Sequence, residues 1–440
     1  MSETILSSEQ NYLLTIEKPP EWRVVKFADI SELITKGATP TTYGHEFVDS
    51  GIPFLRGVNA STNGELKLDD IKYISLKADQ LISRSRLHYE DILLSIVGTM
   101  GIFIFVPKSI LTANINQNVA LIRLRKDIIS PSYAKYFLQS KAFSSQISIE
   151  NTLQAQASLS LEQVGQFKII LPLPIEQQSI AETLDAIDKA IALTDTHIIK
   201  LKKAKAGLLH DLLTRGIDDH GELRDYTRNP ELFKRSALGI IPKDWEVESL
   251  ESVCSNIVDC PHTTPIFRDE GVLIARTFNI RDGIFNISEV SYISEEDYTQ
   301  RISRLKPQLG DVIFTREAPV GEAFVIPEGM RVCLGQRTML LRPNPDKAIG
   351  DYIVAQVYSE IIKTRINQIT GGTTNPYLNV ADVRTFRVPF PKVYEQRRIT
   401  DALKKQDLHI QQKAKLREKL KLLKKGLMSD LLSGRVRVKI

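Results

Sequence analysis

The chain has 440 residues, 42% hydrophobic and 25% charged, with a formal net charge of +5. At about 100–200 residues per domain, that length means two to four units, with apolar material enough for their cores. Three cysteines exclude a disulfide scaffold, no run reaches the roughly 18 apolar residues of a membrane span, and the opening MSETILSSEQ lacks the basic and apolar regions of a signal peptide. A soluble, cytoplasmic, multidomain protein is expected.

The first region, residues 1–175, carries Pro20-Glu21-Trp22 near its start. Short apolar runs broken by Gly and Pro follow, such as Asp91 to Gly98 and Ile102 to Pro107, and read as strands between turns. Pro131 to Ile147 spaces its apolar residues helically. The region is therefore mixed α and β.

Residues 176–216 have a different texture. Ile180, Leu184, Ile187, Ile191, Ile198, Leu201, Leu208 and Leu212 recur on a 4-3-4-3 rhythm, with Thr194 and Lys205 filling the gaps. That is the seam of a coiled-coil helix, closed by a plausible stop at Gly216. A polar linker, 217–241, follows.

Residues 242–394 repeat the first region. They open on Pro242-Lys243-Asp244-Trp245, continue with runs Asp311 to Thr315 and Ala323 to Pro327, and space apolar residues helically from Asp351 to Ile369. Residues 395–440 form a second long helix and a basic tail. Ile399, Leu403, Ile410, Leu420, Leu427 and Leu431 fit a seam, but Gln406, Lys413 and Arg417 interrupt it. The stripe Leu416, Leu420, Leu423, Leu427 offers a shifted phase.

The chain is thus written twice. Gly207-Leu208-Leu209-His210-Asp211-Leu212-Leu213-Thr214 recurs as Gly426-Leu427-Met428-Ser429-Asp430-Leu431-Leu432-Ser433, and Glu176-Gln177 as Glu395-Gln396, both at an offset of 219. Gly51, Arg56, Asn59, Asp91, Gly101 and Pro107 recur at an offset of 220. Helices of ~40 residues are each ~60 Å long, and an isolated one would expose its seam. The economical solution pairs them. Globular domains held apart by such a rod require the antiparallel arrangement.

The charge is concentrated. From Glu395 to Ile440, fourteen Lys and Arg stand against five acids, so the rest of the chain is net negative by four. The excess suits phosphates or an acidic partner, and it equally suits a solvated coiled-coil face.

Enzyme motifs are absent. There is no phosphate-binding Gly-x4-Gly-Lys loop, no His-Glu-x-x-His, no Cys-x2-Cys pair and no Gly-x-Ser-x-Gly elbow. Cys254-x5-Cys260-x-His262 fits no common zinc spacing, so no metal is expected. Asn375-Pro376-Tyr377 lacks the second proline of an amino-methyltransferase motif and reads as a turn.

What each globular region does hold is four polar, glycine-punctuated loops. Thr35 to Pro40 corresponds to Asp259 to Pro265, and Ser95 to Gly101 to Thr315 to Pro319. Asn116 to Asn118 corresponds to Gly335 to Arg337, and Gln154 to Ser158 to Gly371 to Asn375. Arg, Asn and Gln read purine edges bidentately, while Ser, Thr and glycine amides suit phosphates. The DNA-binding candidates are Thr39, Arg56, Asn59, Thr99, Gln117 and Gln156 in the first region. In the second they are His262, Thr263, Arg276, Asn279, Arg316, Gln336, Thr373 and Thr374.

This plan resembles the specificity subunit of type I restriction–modification enzymes from about Pro20 onward. The carrying residues are the repeated Gly-Leu-x-x-Asp-Leu-Leu ending, the linker from Thr214 through Lys234, Asp259 to Pro265, and Gly310 to Glu317. The resemblance implies an α+β chain: two target-recognition domains joined by an antiparallel coiled coil that sets the gap in a bipartite double-stranded DNA site. It implies no catalysis and no cofactor in this chain. Two modification (methyltransferase) subunits would bring S-adenosylmethionine, and restriction (motor-nuclease) subunits would bring ATP and magnesium. A methylase-only or fused methylase–nuclease system would require the same chain. A scaffold joining two protein-binding domains is the alternative of another class.

The helices are close copies, whereas the loops diverge, as in Ser95 to Gly98 against Thr315 to Ala318. The two half-sites are therefore expected to differ in sequence. Reading domains with little net positive charge are also expected to bind DNA poorly without the modification subunits.

Overall fold

A computed structural model of the chain describes residues 18–59, 66–152, 158–371 and 374–439. It divides into two compact units, one of residues 1–194 with 416–440 and one of residues 195–415. Two long helices, α1 (Pro174–Arg215) and α2 (Val393–Ser433), each contribute one part to each unit.

In the first unit the central sheet has four antiparallel strands: β1 (Ser31–Lys36), β2 (Ile92–Ser95), β3 (Phe103–Phe105) and β4 (Val119–Leu124), in the order β1-β4-β2-β3. Ile92 pairs with Ile122 and Phe105, and Ile34 with Ile122. Side chains alternate between faces along a strand. Ile92 and Leu94 accordingly enter the core shared with the helices, while Leu93, Leu121 and Ile104 enter a second core. Both faces are covered, which is why the sequence shows an unbroken apolar run rather than apolar–polar alternation. Beside it lies a three-stranded sheet in which Ile52–Leu55 runs antiparallel to Lys72–Ile74 and parallel to Asn114–Ile115.

The second unit repeats this plan strand for strand. Its sheet of β5 (Cys254–Asp259), β6 (Val312–Thr315), β7 (Ala323–Val325) and β8 (Thr338–Pro343) has the order β5-β8-β6-β7. Val312 and Phe314 face one core, Ile313 and Phe324 the other. Val272–Ala275 lies between Ser291–Ile293 and Val332–Leu334, again one antiparallel and one parallel neighbour. Even the bulge near the start of the first strand recurs, after Ser31 and after Cys254.

Residues identical in the two copies hold this frame. Asp91 and Asp311 are buried, and each takes two hydrogen bonds from one guanidinium: Arg123 at 2.8 and 2.7 Å, Arg342 at 2.9 and 2.7 Å. Gly101 and Gly321 have φ of +83° and +82°, and a Cβ on either would press within 2.5 or 2.7 Å of a helix isoleucine, Ile147 or Ile366. Positive φ and lack of space together demand glycine.

Each long helix begins on a buried carboxylate. Glu176, fully buried, accepts from the Trp22 indole at 2.8 Å and from Arg437 at 2.6 Å. Glu395, fully buried, accepts from the Trp245 indole at 3.1 Å, from Arg224 at 2.5 Å and from the Ile217 amide at 2.9 Å. The adjoining Gln177 and Gln396 each donate to two main-chain carbonyls and accept one amide. The repeated Glu-Gln is thus the joint that seats a helix on its domain. In both units the clasp is completed by chain lying beyond the end of the other long helix.

Within each unit the helix parts run antiparallel. In the first, Ile180 and Leu184 share a core with Leu431 and Leu432, and Asp188 pairs with Lys424 at 2.6 Å. In the second, Leu212 shares a core with Ile399 and Leu403, and Lys205 pairs with Asp407 at 2.6 Å.

The expected change of phase in α2 is corrected. Leu416 and Leu423 are 42% and 49% exposed, so the shifted stripe does not face the partner. Gln406, Lys413 and Arg417 are half-buried at seam positions, as are Ile410, Leu420 and Leu427. Gln406 donates to the Leu201 carbonyl at 3.3 Å. Long polar side chains can cover a seam with their methylene stems and keep their heads at its rim. The first-copy seam follows its rhythm: Ile180, Leu184, Ile198 and Leu212 are buried, and Ile187, Ile191, Leu201 and Leu208 half-buried. Among the described residues no helix is long and apolar enough to cross a membrane.

Candidate nucleic-acid interface

In the first unit, loops that are far apart in sequence converge at one end of the central sheet. The turn after β1 passes so close to the segment before β4 that a Cβ on Gly37 would lie 1.8 Å from the Ile115 carbonyl oxygen. Thr39 donates its hydroxyl to Gln117 across these two loops. The Asn116 amide donates to the Leu55 carbonyl, at 3.0 Å, tying in the Arg56–Asn59 turn. The loop after β2 joins through Ile96 to Asn118 at 3.0 Å, and its Val97 bridges to Ser158.

The second unit makes the same connections with other side chains. Gln336 donates to the His262 carbonyl at 3.2 Å and to the Thr264 hydroxyl at 2.9 Å. The Gly335 amide donates to the Ala275 carbonyl at 2.8 Å. The Arg316 amide donates to the Arg337 carbonyl at 2.8 Å, the Leu378 amide to the Arg316 carbonyl at 2.9 Å, and Glu317 bridges to Tyr377. Thr277 donates to the Ala318 carbonyl at 2.9 Å.

The candidate residues fall into three groups. Thr99, Gln117, His262, Thr263, Gln336 and Thr374 are exposed on these loops, and Thr39 is half-buried among them. Arg56, Arg276 and Arg316 are half-buried. Arg56 is tied to Asp70 at 2.7 Å; Arg316 is held by Asp259 at 2.9 Å and by the Leu378 carbonyl at 3.1 Å. Asn59 and Asn279 form the third group and are buried. Each takes a main-chain amide and donates its own amide to two carbonyls, Lys67 and Asp70 for Asn59, Asn286 and Glu289 for Asn279. Their polar atoms serve their own turn, so each asparagine clamps the loop that carries it. Gln156 and Thr373 lie outside the described residues.

Three further side chains at this end of the second unit carried no sequence motif. Phe267 and Phe278 bracket the Arg276 guanidinium at 4.8 and 4.5 Å from their ring centres. Buried Arg301 donates to the carbonyls of Leu334, Thr263 and Pro261 at 3.0, 3.0 and 3.3 Å and so shapes the His262 loop. Helical spacing could mark Arg301 as inward-facing; nothing local marks the two phenylalanines.

Burial pushes the Cys333 thiol up to about 11 and the Cys254 thiol up to about 12, so both stay protonated near neutrality. Among the described residues no group of three or more His, Cys, Asp or Glu could hold a metal. His262 instead lies 3.2 Å from Asp259.

Comparison with known proteins follows the same two-copy division. The type I restriction modification DNA specificity domain matches residues 19–203 and again 242–422. The MjaVIII specificity subunit of a type I restriction enzyme from Methanocaldococcus jannaschii is 26% identical over 436 residues, 96% of this chain and 94% of that one. The EcoBI specificity subunit of Escherichia coli is 23% identical over 410 residues, 90% of this chain and 81% of that one. Among solved structures, a chain from a study of complex assembly and conformational transition in a type I R-M system aligns with a TM-score of 0.60 and 17% identity, over 96% of this chain and all of that one. The type I restriction-modification S subunit of M. genitalium aligns with a TM-score of 0.52 and 14% identity, over 97% of this chain and 98% of that one.

Proposed function

The chain belongs to the type I restriction modification DNA specificity family, and we propose that its two loop clusters each read one half of an asymmetric, bipartite site in double-stranded DNA. The observation that carries this reading is the convergence of separate polar loops at one end of each sheet, on one frame and with different side chains. Exposed Thr99 and Gln117 in one unit, and His262, Gln336 and Thr374 in the other, supply donors and acceptors there. Such groups suit base edges and phosphates. The chain supplies recognition and no chemistry. Methyl transfer from S-adenosylmethionine belongs to two modification subunits, and ATP- and magnesium-dependent cleavage to restriction subunits. The paired helices act as the ruler for the gap between half-sites, in the cytoplasm of the host cell.

The helices also present a docking face. In the first unit Leu193, Leu416, Leu422 and Leu423 are exposed on the helices. In the first unit a groove of about 890 Å³ runs between Phe137–Ala142 and the end of α2, with Lys141, Lys421, Lys424 and Lys425 on its walls and Met428 on its lining. A modification subunit offering apolar side chains flanked by acids would fit it.

Single-molecule methylome sequencing of a host expressing this chain with its modification subunits tests the proposal. A bipartite motif with unlike halves and a fixed gap is expected. Identical inverted halves would remove the asymmetry, and a failure of the assembled complex to bind any DNA in a mobility-shift assay would favour a scaffold joining two protein-binding domains.

A further inference from the structure

The arginines of the second loop cluster are mostly spent on their own chain. Arg316 is neutralised by Asp259, Arg337 by Glu317 at 3.3 Å, and Arg281 folds back on the Thr277 and Ile280 carbonyls. Arg276 is different. Its guanidinium lies between the rings of Phe267 and Phe278, and among the described residues its side-chain N–H groups have one acceptor, Ser291 Oγ at 3.4 Å. No described carboxylate pairs with it.

Aromatic faces attract a guanidinium without satisfying its donors. The bracket therefore fixes the plane of the fork and leaves its edge seeking acceptors. Fixing that plane in advance removes the rotamer entropy a free arginine loses on binding. The position is also right. A Cβ on Gly335 would lie 3.3 Å from the Arg276 Cα, so the residue borders the Gln336 loop, and neighbouring Thr277 bonds to Ala318 of the loop after β6. The brackets remain 43% and 37% exposed, open to a large partner.

We propose that Arg276, held between Phe267 and Phe278, reads a guanine in the half-site that the second unit recognises. The inference rests on the DNA-reading function proposed above and deepens it. A planar fork with two free parallel N–H groups matches guanine O6 and N7, and this pairing is the commonest specific contact that arginine makes in the major groove. Among the described residues the first unit has no such bracket, and its matching Arg56 pairs with Asp70 at 2.7 Å.

The test uses the chain assembled with its modification subunits. Methylome motifs are compared for the unaltered chain, Arg276→Ala, Arg276→Lys and Phe278→Ala. One G·C position of one half-site should become degenerate in Arg276→Ala and in Arg276→Lys, with about a ten- to hundred-fold loss of discrimination there. Phe278→Ala should give a smaller loss at that same position, and the other half-site should stay intact. A second arm needs no protein variant. Duplexes carrying 7-deazaguanine in place of each guanine in turn remove N7, and the unaltered complex should lose affinity at one of them. A second half-site made of A·T pairs alone, equal tolerance of 7-deazaguanine everywhere, or a uniform weakening across all sequences in Arg276→Ala would each overturn the proposal, the last assigning Arg276 to a phosphate. Absence of any bipartite motif for the unaltered chain would instead overturn the DNA-reading function itself.

Discussion

The two loop clusters stand on one frame but are braced by different chemistry. Under the first, buried Asp79 accepts from Asn114 at 3.2 Å and pairs with Arg86, while the Ser85 hydroxyl donates to Asn114 at 2.6 Å. Under the second, one buried arginine, Arg301, donates to three main-chain carbonyls. The first unit thus anchors the short strand leading into its Asn116–Asn118 loop with a buried acid, an amide and a hydroxyl, whereas the second holds its His262 loop directly with a cation. By contrast Asn59 and Asn279, Asp91 and Asp311, and Gly101 and Gly321 do the same job twice. In a duplicated reader, what the copies share is scaffold, and what they do not share is where recognition and its bracing lie.

The largest effect should come from the shared part. Glu395→Ala would leave the Trp245 indole, Arg224 and the Ile217 amide without their buried acceptor. Removing one partner of a buried charged pair costs about 3–5 kcal/mol. Glu176→Ala should cost less, because Arg437 is 40% exposed and only the Trp22 indole is left buried without its acceptor. Hydrogen exchange read separately over the two units should show each substitution lowering protection mainly in its own unit. If Glu176→Ala proves nearly silent while Glu395→Ala unfolds its unit, the two clasps are not equivalent and the comparison breaks.

A middle-sized effect should separate the units. Arg301→Met keeps the bulk of the side chain but leaves three carbonyls short of a donor, at a cost of about 2–3 kcal/mol. The His262 loop would lose its brace. Methylome motifs should then relax in the half read by the second unit and stay sharp in the other. Equal relaxation of both halves would show that the loops of the two units are not braced independently.

Much of this organisation was legible beforehand, and the reason is periodicity. The duplication, the two helices and the matched pairs of loops all follow from patterns repeated over many residues, whereas the convergence of the loops appears only in the fold. Individual site residues were less legible. Asn59 and Asn279 attracted attention because they match, and they match because the same turn needs the same clamp twice. Phe267 and Phe278 were invisible because their role depends on a three-dimensional approach to Arg276 that no local spacing encodes. Arg301 was half legible: helical spacing marks it as inward-facing, but the three main-chain carbonyls it meets are set only by the fold.

The smallest effect tests the helix phase. Leu420 and Leu423 are three residues apart on α2, identical in chemistry and helix propensity. The seam interrupted by Gln406, Lys413 and Arg417 puts Leu420 against α1, whereas the apolar stripe would have used both. Leu420 is half-buried and Leu423 is 49% exposed. Truncating a fully buried leucine costs roughly 2–5 kcal/mol, so Leu420→Ala should cost about half of that range. Leu423→Ala should stay within about 0.5 kcal/mol, as surface substitutions do. The shift of the thermal unfolding midpoint, followed by circular dichroism, distinguishes the two. Equal losses would restore the shifted stripe and move the register of α2 on α1. That register is what a helical ruler transmits to the gap between half-sites, so Leu423→Ala should leave the methylated gap length unchanged as well.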